Sequence, residues 1–248
     1  MVFLTFSSCN TLMPMLFGFR EINGYDAVQC EKFYKKLPKD FAFTPLVCDE
    51  KQFRQVSELG ADSMQMKDLY QPLKIMYFHG GSLVSFHINC YCPPTLGFNL
   101  NWNYKHQFDE FPPATTVPLE GYTLTLKDIQ GVFPEIKGEK DYTVLVFWTN
   151  MLHKISRSEI KTVCRNLKRL GPSTGSGIKV YLINNDIPLT KSLHETEWFC
   201  QAFSLKNLFP DHFCSWFGKM NYICAQIVRL APPKSKIRWN QCGAFQRS

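Results

Sequence analysis

The chain has 248 residues, of which 45% are hydrophobic and 20% charged, a composition that is typical of a globular protein and excludes an intrinsically disordered one. Its formal net charge of +7 favours a solvated, mildly basic surface. Anionic lipid and nucleic acid are less favoured explanations, and no phosphate-binding glycine loop or RNA-binding aromatic motif supports a nucleic-acid partner. No stretch contains the roughly 18 apolar residues of a membrane-spanning helix.

Residues 1–20, which begin MVFLTFSSC, predict a leader of the lipoprotein type. They are apolar from the start, and the small residues Ser7 and Ser8 precede Cys9, as at the end of a bacterial lipoprotein signal in which the cysteine is lipidated. A complete signal also has a basic start and about 7–15 apolar residues, neither of which is present. A start codon placed too late explains the difference. The alternative is an accidental match in a first strand or hydrophobic end.

Residues 21–97 predict an N-terminal α/β unit. The segment GYDAVQCEKFYKKL has apolar residues at helical spacing, and Pro38 ends this helix. A strand at 41–49 then leads into a second helix, which has Asp49 as its N-cap and ends at Gly60. The alternation of helix and strand indicates a sheet that is covered by helices.

A β-hairpin is predicted towards the end of this unit. Two runs rich in β-branched and aromatic residues, 74–79 and 83–89, flank the pair Gly80 and Gly81. Glycine reaches positive φ angles without steric cost, and a tight hairpin turn requires such angles. The glycine pair therefore predicts the turn itself.

Residues 98–120 predict a long connector, because they are rich in proline, asparagine and aromatic residues. One interpretation is a polar and aromatic recognition surface. The other, which we favour, is a loop that packs its aromatic rings on the core. The residues concerned are Asn99, Asn101, Trp102, Asn103 and Tyr104.

Residues 121–192 predict a β-α-β unit. The run YTVLVFWT, at 142–149, is almost continuously apolar, as expected for a strand that is buried on both faces of a parallel sheet. Ser156 and Glu159 form a capping-box pattern that predicts the start of the following helix. A second buried strand at 178–186 then pairs in parallel with the first. The predicted fold class is α/β.

Residues 193–248 form an extension rich in cysteine and aromatic residues. It contains four of the ten cysteines, and the sequence predicts helices near 193–204 and 219–230. Its cysteines and histidines are too widely spaced for the tight pairs of a zinc module. His79, His87 and Cys90 also lack a recognised metal-ligand spacing, so we predict neither a metal nor another cofactor.

Two segments resemble the halves of a thioredoxin-like fold. The segment YTVLVFWTNMLHKISRSEIKTVCRNLKRL with IKVYLINND resembles the first half, in which a strand leads into the active-site helix. QPLKIMYFHGGSLVSFHI resembles the second half, and Pro72 matches the proline that this family holds in cis. The halves are in reversed order, which leaves open two small thioredoxin-like units or one sheet made of permuted pieces. The layout is similar to thioredoxin-like lipoproteins of the Gram-negative cell envelope.

The resemblance places Leu152 and Ile155 at the two positions of the reactive cysteines. Thioredoxin chemistry requires a thiolate at a helix N-terminus and a resolving thiol three residues later, and neither side chain can supply one. The resemblance thus implies a non-catalytic binding or scaffold protein, lacking the CxxC motif. Its expected location is the periplasmic side of a membrane, through a lipid anchor at Cys9, with the cytoplasm as the alternative. Expected partners are envelope proteins or an unknown ligand.

A divergent thiol-disulfide oxidoreductase that uses Cys90 and Cys92 is the alternative function. Alternation along a strand would direct both thiols to the same face, where they could form a strained and therefore oxidising disulfide. The favoured interpretation is two ordinary thiols at the end of a strand.

The strand ends supply the remaining candidate binding residues. Met151 and Leu152, beside Trp148, are predicted either to present an apolar surface to a partner or to cover the edge of the sheet. Pro72 is a candidate through the resemblance alone. Asp186 follows a buried strand, where ligands of α/β proteins commonly bind, although a solvated aspartate is the favoured interpretation.

Overall fold

The computed structural model describes residues 20, 22–93, 95, 99–137, 141–169 and 177–194. Cys9 and most of the leader lie outside the described residues. So do the predicted helix at 219–230 and all but the first two residues of the helix predicted at 193–204. The fold and the site are therefore described for the central part of the chain.

Five β-strands and six α-helices occur among the described residues. The strands are β1 (Thr44–Val47), β2 (Lys74–His79), β3 (Ser82–Ile88), β4 (Tyr142–Trp148) and β5 (Ile178–Asn184). The helices are α1 (Ala27–Tyr34), α2 (Glu50–Glu58), α3 (Ser63–Leu69), α4 (Leu126–Val132), α5 (His153–Lys168) and α6 (Asp186–His194), and short 3-10 turns occupy Asn89–Tyr91 and Tyr104–His106. None of these described helices is long and apolar enough to cross a membrane.

All five strands belong to one mixed sheet with the order β1-β5-β4-β2-β3. Strand β5 is parallel to both β1 and β4, and β2 is antiparallel to both β4 and β3. The hairpin and the β-α-β unit therefore lie side by side, which is the single-sheet arrangement of the two that the sequence left open. The α/β class is confirmed. Gly80 and Gly81 have φ angles of 54° and 84°, as the predicted turn requires.

Helices cover both faces of the sheet. Val144, Val146 and Trp148 of β4 point to a core that includes residues of α1 and α5. Leu145 and Phe147 point to a second core, which is covered by α2, α3 and α4. Because both faces of β4 are buried, its sequence is apolar without interruption from Val144 to Trp148.

The connector packs its rings on the core, as favoured from the sequence. Trp102 and Phe108 are buried, and Asn166 of α5 donates hydrogen bonds to the carbonyls of Phe108 (2.9 Å) and Glu110 (2.6 Å). The side chain of Asn103 accepts a hydrogen bond from the Phe108 amide at 2.7 Å. These contacts tie the connector to α5, so Trp102 and Asn103 do not form an exposed recognition surface.

The start of α5 differs from the prediction. The helix begins at His153, and its N-cap residue, Leu152, makes no side-chain capping bond. The Ser156 hydroxyl instead accepts a hydrogen bond from the Thr149 amide (3.2 Å) and donates one to the Thr149 carbonyl (3.0 Å). Ser156 therefore ties the end of β4 to the helix. Glu159 lies in the second turn of α5 and is buried, and neither of its carboxyl oxygens has a hydrogen-bond partner among the described residues.

Candidate functional site

The carboxyl ends of β4 and β5 meet at one edge of the sheet, and the candidate site lies there. Trp148, the last residue of β4, pairs with Asn184, the last residue of β5. The loop 149–152 follows β4, and α6 begins at Asp186 two residues after β5. Ends of neighbouring parallel strands form the usual ligand crevice of an α/β sheet.

Asp186 is completely buried and accepts four hydrogen bonds. One carboxylate oxygen accepts from the Thr149 hydroxyl (2.6 Å) and the Asn150 amide (2.8 Å). The other accepts from the side-chain amides of Asn150 (2.7 Å) and Asn184 (3.0 Å). The expectation of a solvated aspartate is wrong, because the loop after β4 folds over the carboxylate. With its acceptor positions occupied, Asp186 braces the loop and is not placed to exchange protons with a substrate.

Pro72 lies at the same edge and also has a structural contact. Its carbonyl accepts a hydrogen bond from the side chain of Asn185 at 2.8 Å, and the Asn185 amide donates to the carbonyl of Trp148 at 2.8 Å. The peptide bond before Pro72 is not cis, unlike that between Phe111 and Pro112. The cis geometry implied by the resemblance is therefore wrong for Pro72, whose carbonyl serves to join β2 to the end of β5.

Trp148, Met151 and Leu152 are buried, with exposed fractions of 0%, 6% and 5%. The indole of Trp148 stacks on the ring of Phe33 at a centroid distance of 4.1 Å and an interplanar angle of 8°. Of the two alternatives that the sequence left open, these side chains therefore cover the edge of the sheet and do not present an apolar surface, because α1 lies over the loop. Met151 and Leu152 instead join the core beneath α1 and α5.

A thiol of α1 contacts the loop. The sulfur of Cys30 accepts a hydrogen bond from the Asn150 side chain at 3.3 Å. Burial raises the pKa of the Cys30 thiol to about 11, so the group is a neutral thiol near pH 7. The sequence marked Cys30 only as an apolar helix position, and no local pattern could indicate a contact between residues 120 positions apart.

Cys90 and Cys92 are not joined by a disulfide and lie in different surroundings. Strand β3 ends at Ile88, and the chain then turns through a 3-10 helix, so the expected strand alternation does not apply. Cys90 is exposed, whereas Cys92 is buried. The Cys90 thiol donates to the side chain of Gln71 (3.0 Å), whereas Cys92 donates inward to the carbonyl of Ile88 (3.5 Å). Burial also raises the pKa of Cys92 well above its ordinary value.

A pocket of about 440 Å³ lies beside Asp186. It is lined by the segment 22–27, Gln29, Asn150 and Asp186. Asp26 is the N-cap of α1, and one of its oxygens accepts hydrogen bonds from two backbone amides of that helix at 2.9 and 3.0 Å. Tyr25 is 40% exposed at the rim. Among the described residues that line it are two carboxylates and neither lysine nor arginine, so the pocket suits a polar or positively charged group.

His87 of the hairpin, for which the sequence offered no recognised metal-ligand spacing, is part of the core. His87 is buried, and its ring forms a hydrogen bond with the Ser85 hydroxyl at 2.9 Å. Burial lowers the pKa of His87 to about 3, so the ring is neutral. Among the residues that the structure describes, no group of three or more histidine, cysteine, aspartate or glutamate residues is arranged to hold a metal.

Comparison with known proteins found no relative: no family model matches the chain, no curated protein is similar to it, and no solved structure matches it. The function must therefore be argued from the chemistry of the site. That chemistry consists of a braced loop that contains no thiol and an adjoining polar pocket.

Proposed function

We propose that this protein is a non-catalytic, thioredoxin-like binding or scaffold protein of the cell envelope, tethered to the periplasmic side of a membrane through a lipid at Cys9. One observation carries the non-catalytic part of the proposal. The loop 149–152, which follows β4 as the reactive cysteines follow the corresponding strand in thioredoxins, is held by Asp186 and contains no thiol.

The topology supports the thioredoxin-like part. The resemblance is to a β-α-β unit and a hairpin, and here β4-α5-β5 is a parallel unit with the β2-β3 hairpin beside β4. The two halves occur in reversed order along the chain. Permutation leaves the neighbours of each central strand unchanged, so the same sheet can form from either order.

The state of the thiols supports the absence of redox catalysis. A thiol with a pKa near 11, like that of Cys30, is a thiolate in only about one molecule in ten thousand at pH 7. A dithiol cycle also requires a second thiol that attacks the first. Among the described residues, the Cys30 thiol forms hydrogen bonds with Asn150 and Tyr25, neither of which can resolve a mixed disulfide.

Binding is assigned to the pocket beside Asp186. A cavity of this size lies within the ordinary range of ligand sites. The brace holds the Asn150 side chain in place, and Asp26 contributes a carboxylate whose position is set by its capping bonds. Fixed polar groups at the rim of a pocket favour selective binding, because little entropy is lost when they bind.

The catalytic question is tested by insulin reduction with dithiothreitol. We expect the full chain to reduce insulin no faster than the blank, and Cys30→Ser and Cys90→Ser/Cys92→Ser to behave identically. Activity that is lost in either variant would contradict the proposal and identify the thiols responsible.

Binding is tested by photo-crosslinking in cells of a Gram-negative host. A benzophenone amino acid is placed at Tyr25 or, as a matched control, at Tyr91, because the two side chains are 40% and 42% exposed. We expect discrete adducts from position 25 only. Asp26→Asn should weaken them, since asparagine still caps α1 but lacks the charge. Equal adducts from both positions, or none from position 25, would refute a binding role for the pocket.

A further inference from the structure

The solvent-facing side of α5 is a continuous basic surface. At about 100° per residue, its five cations fall within an arc of roughly 80° and extend over about 20 Å of the helix. All five are exposed, and the opposite side of α5 packs on the sheet. This surface, called the α5 basic face below, consists of Lys154, Arg157, Lys161, Arg165 and Lys168.

Acidic residues neutralise little of this charge. Glu159 is the one acidic residue within α5, and it lies on the buried side, where burial raises its pKa well above the ordinary value. Lys168 pairs with Asp40 at 2.6 Å. Within the described part of the chain, no carboxylate lies in salt-bridge distance of Arg157, Lys161 or Arg165. With respect to the described residues, the middle of the α5 basic face is therefore an uncompensated positive surface.

Helix stability accounts for the cations in the last turn, Arg165 and Lys168, but not for those near the start of α5. The amino end of a helix carries a partial positive charge, which disfavours cations there. The first turn of α5 nevertheless contains no acidic residue and no side-chain cap, and Lys154 and Arg157 lie near this end. The face also lacks the glutamate-lysine pairs, four residues apart, that stabilise exposed helices.

We propose that the α5 basic face docks the protein on a bilayer that contains anionic phospholipids. A straight row of cations on one side of a helix brings all its charges against a flat negative surface at once. Each lysine or arginine close to such a surface raises the partition constant about fivefold. The inference does not rest on the proposed function, because it requires neither the pocket nor a lipid at Cys9.

A bilayer is favoured over nucleic acid because the α5 basic face lacks side chains that could bind bases. Helix α5 contains no phenylalanine, tyrosine or tryptophan, so it offers no ring on which a base could stack. Its one amide side chain, Asn166, is buried and bound to carbonyls of the connector. The exposed groups are therefore suited to phosphate charges alone, and those of a lipid surface are presented in a plane.

Vesicle co-sedimentation of the full chain tests the inference. Cys9→Ser is included in every protein, so that an acyl chain cannot contribute. We expect binding to vesicles of phosphatidylcholine with roughly one-third phosphatidylglycerol, but not to phosphatidylcholine alone. Binding should weaken as salt shortens the screening length, which is about 10 Å at 0.1 M.

Two sets of substitutions with the same change in net charge locate the surface. Arg157→Glu/Lys161→Glu/Arg165→Glu reverses the α5 basic face. Lys51→Glu/Lys127→Glu/Lys137→Glu reverses three exposed charges on the other side of the sheet. We expect the first set to weaken binding about a hundredfold or more and the second to weaken it far less. Arg157→Gln/Lys161→Gln/Arg165→Gln, which keeps good helix formers, should also lose about a hundredfold.

Three outcomes would overturn the inference. They are equal losses from the two charge-reversed sets, no binding of the starting protein to anionic vesicles, and tighter binding to a duplex DNA probe than to those vesicles at the same salt concentration. Circular dichroism on each variant shows whether it is folded, and the glutamine set decides the result if charge reversal unfolds the helix.

Discussion

Asp186 holds both the backbone amide and the side-chain amide of Asn150, at 2.8 and 2.7 Å, and so fastens the loop after β4 to the first residue of α6. This pair of contacts makes the loop after β4 a rigid support for the neighbouring pocket. The contribution of these contacts to the free energy of unfolding can be measured directly.

Replacement of Asp186 by asparagine is expected to destabilise the protein by about 3 kcal/mol, because the new amide group would place donors against the donors that now bind the carboxylate. Urea denaturation followed by circular dichroism measures the change in the free energy of unfolding. Glu135→Gln, an exposed change in the turn after α4, is the control and should have no measurable effect. If Asp186→Asn were as stable as the unchanged protein, the brace would have no energetic importance.

Glu159 is expected to make the protein less stable as the pH rises. Neither of its carboxyl oxygens has a hydrogen-bond partner among the described residues, and burial raises its folded-state pKa well above its ordinary value. In the unfolded chain this group loses its proton near pH 4.3. The folded state therefore binds more protons above that pH, and stability falls by up to about 1.4 kcal/mol per pH unit until the folded-state pKa is reached.

The comparison of Glu159→Gln with the unchanged protein isolates this effect from that of other buried groups. The free energy of unfolding, measured by urea denaturation from about pH 5 to pH 8, should depend less on pH in the variant. Glu58→Gln, on the exposed side of α2, should reproduce the pH dependence of the unchanged protein. Parallel curves for the Glu159→Gln variant and the unchanged protein would show that Glu159 ionises normally.

Lys74 is expected to have the opposite effect on pH dependence. It is fully buried, and burial lowers its pKa to about 7, while its ammonium group donates to the carbonyls of Leu69 and Gln71. An unfolded lysine keeps its proton to about pH 10.4, so the unfolded state binds more protons between these values and stability rises with pH from about 7 to about 10. In Lys74→Met this rise should disappear.

Denaturant titrations at a series of pH values, with Lys127→Met as an exposed control, measure this contribution. The ¹³C chemical shift of the Lys74 side chain, followed as a function of pH, gives its pKa independently. A titration midpoint that is unchanged from that of a solvated lysine would show that the side chain reaches water.

Cys90 and Cys92 are expected to differ strongly in reactivity. Cys90 is exposed, whereas Cys92 is buried and has a raised pKa, and alkylation requires an accessible thiolate. With iodoacetamide on the folded protein, Cys90 should react at least about a hundredfold faster than Cys92. Peptide mass spectrometry measures both rates, and Cys90→Ser, as the control, should leave Cys92 unlabelled until urea is added. Equal rates, or an internal disulfide between the two residues, would revive the oxidoreductase alternative.

Most of the local structure could be predicted from the sequence alone. The apolar run at 142–148 predicts a central strand because a residue buried on either face must be apolar. Asp49 predicts the start of α2 because its side chain can satisfy a free amide, and it accepts from Gln52 at 2.7 Å. Gly80 and Gly81 predict the hairpin turn through their positive φ angles. In each case the cause lies within a few residues of the effect.

The order of the strands and the contacts within the candidate site depend on tertiary packing and could not be predicted from the sequence. Ser156 forms a hydrogen bond with the residue after β4 instead of capping α5. Asp186 accepts hydrogen bonds from residues at the ends of both β4 and β5. Cys30 meets Asn150 through the packing of α1 on the sheet. The contacts of Asp186 with Thr149 and of Cys30 with Asn150 join residues 37 and 120 positions apart along the chain. They depend on which surfaces of the helices and the sheet pack together, and neither hydrophobic periodicity nor a short sequence motif indicates this packing.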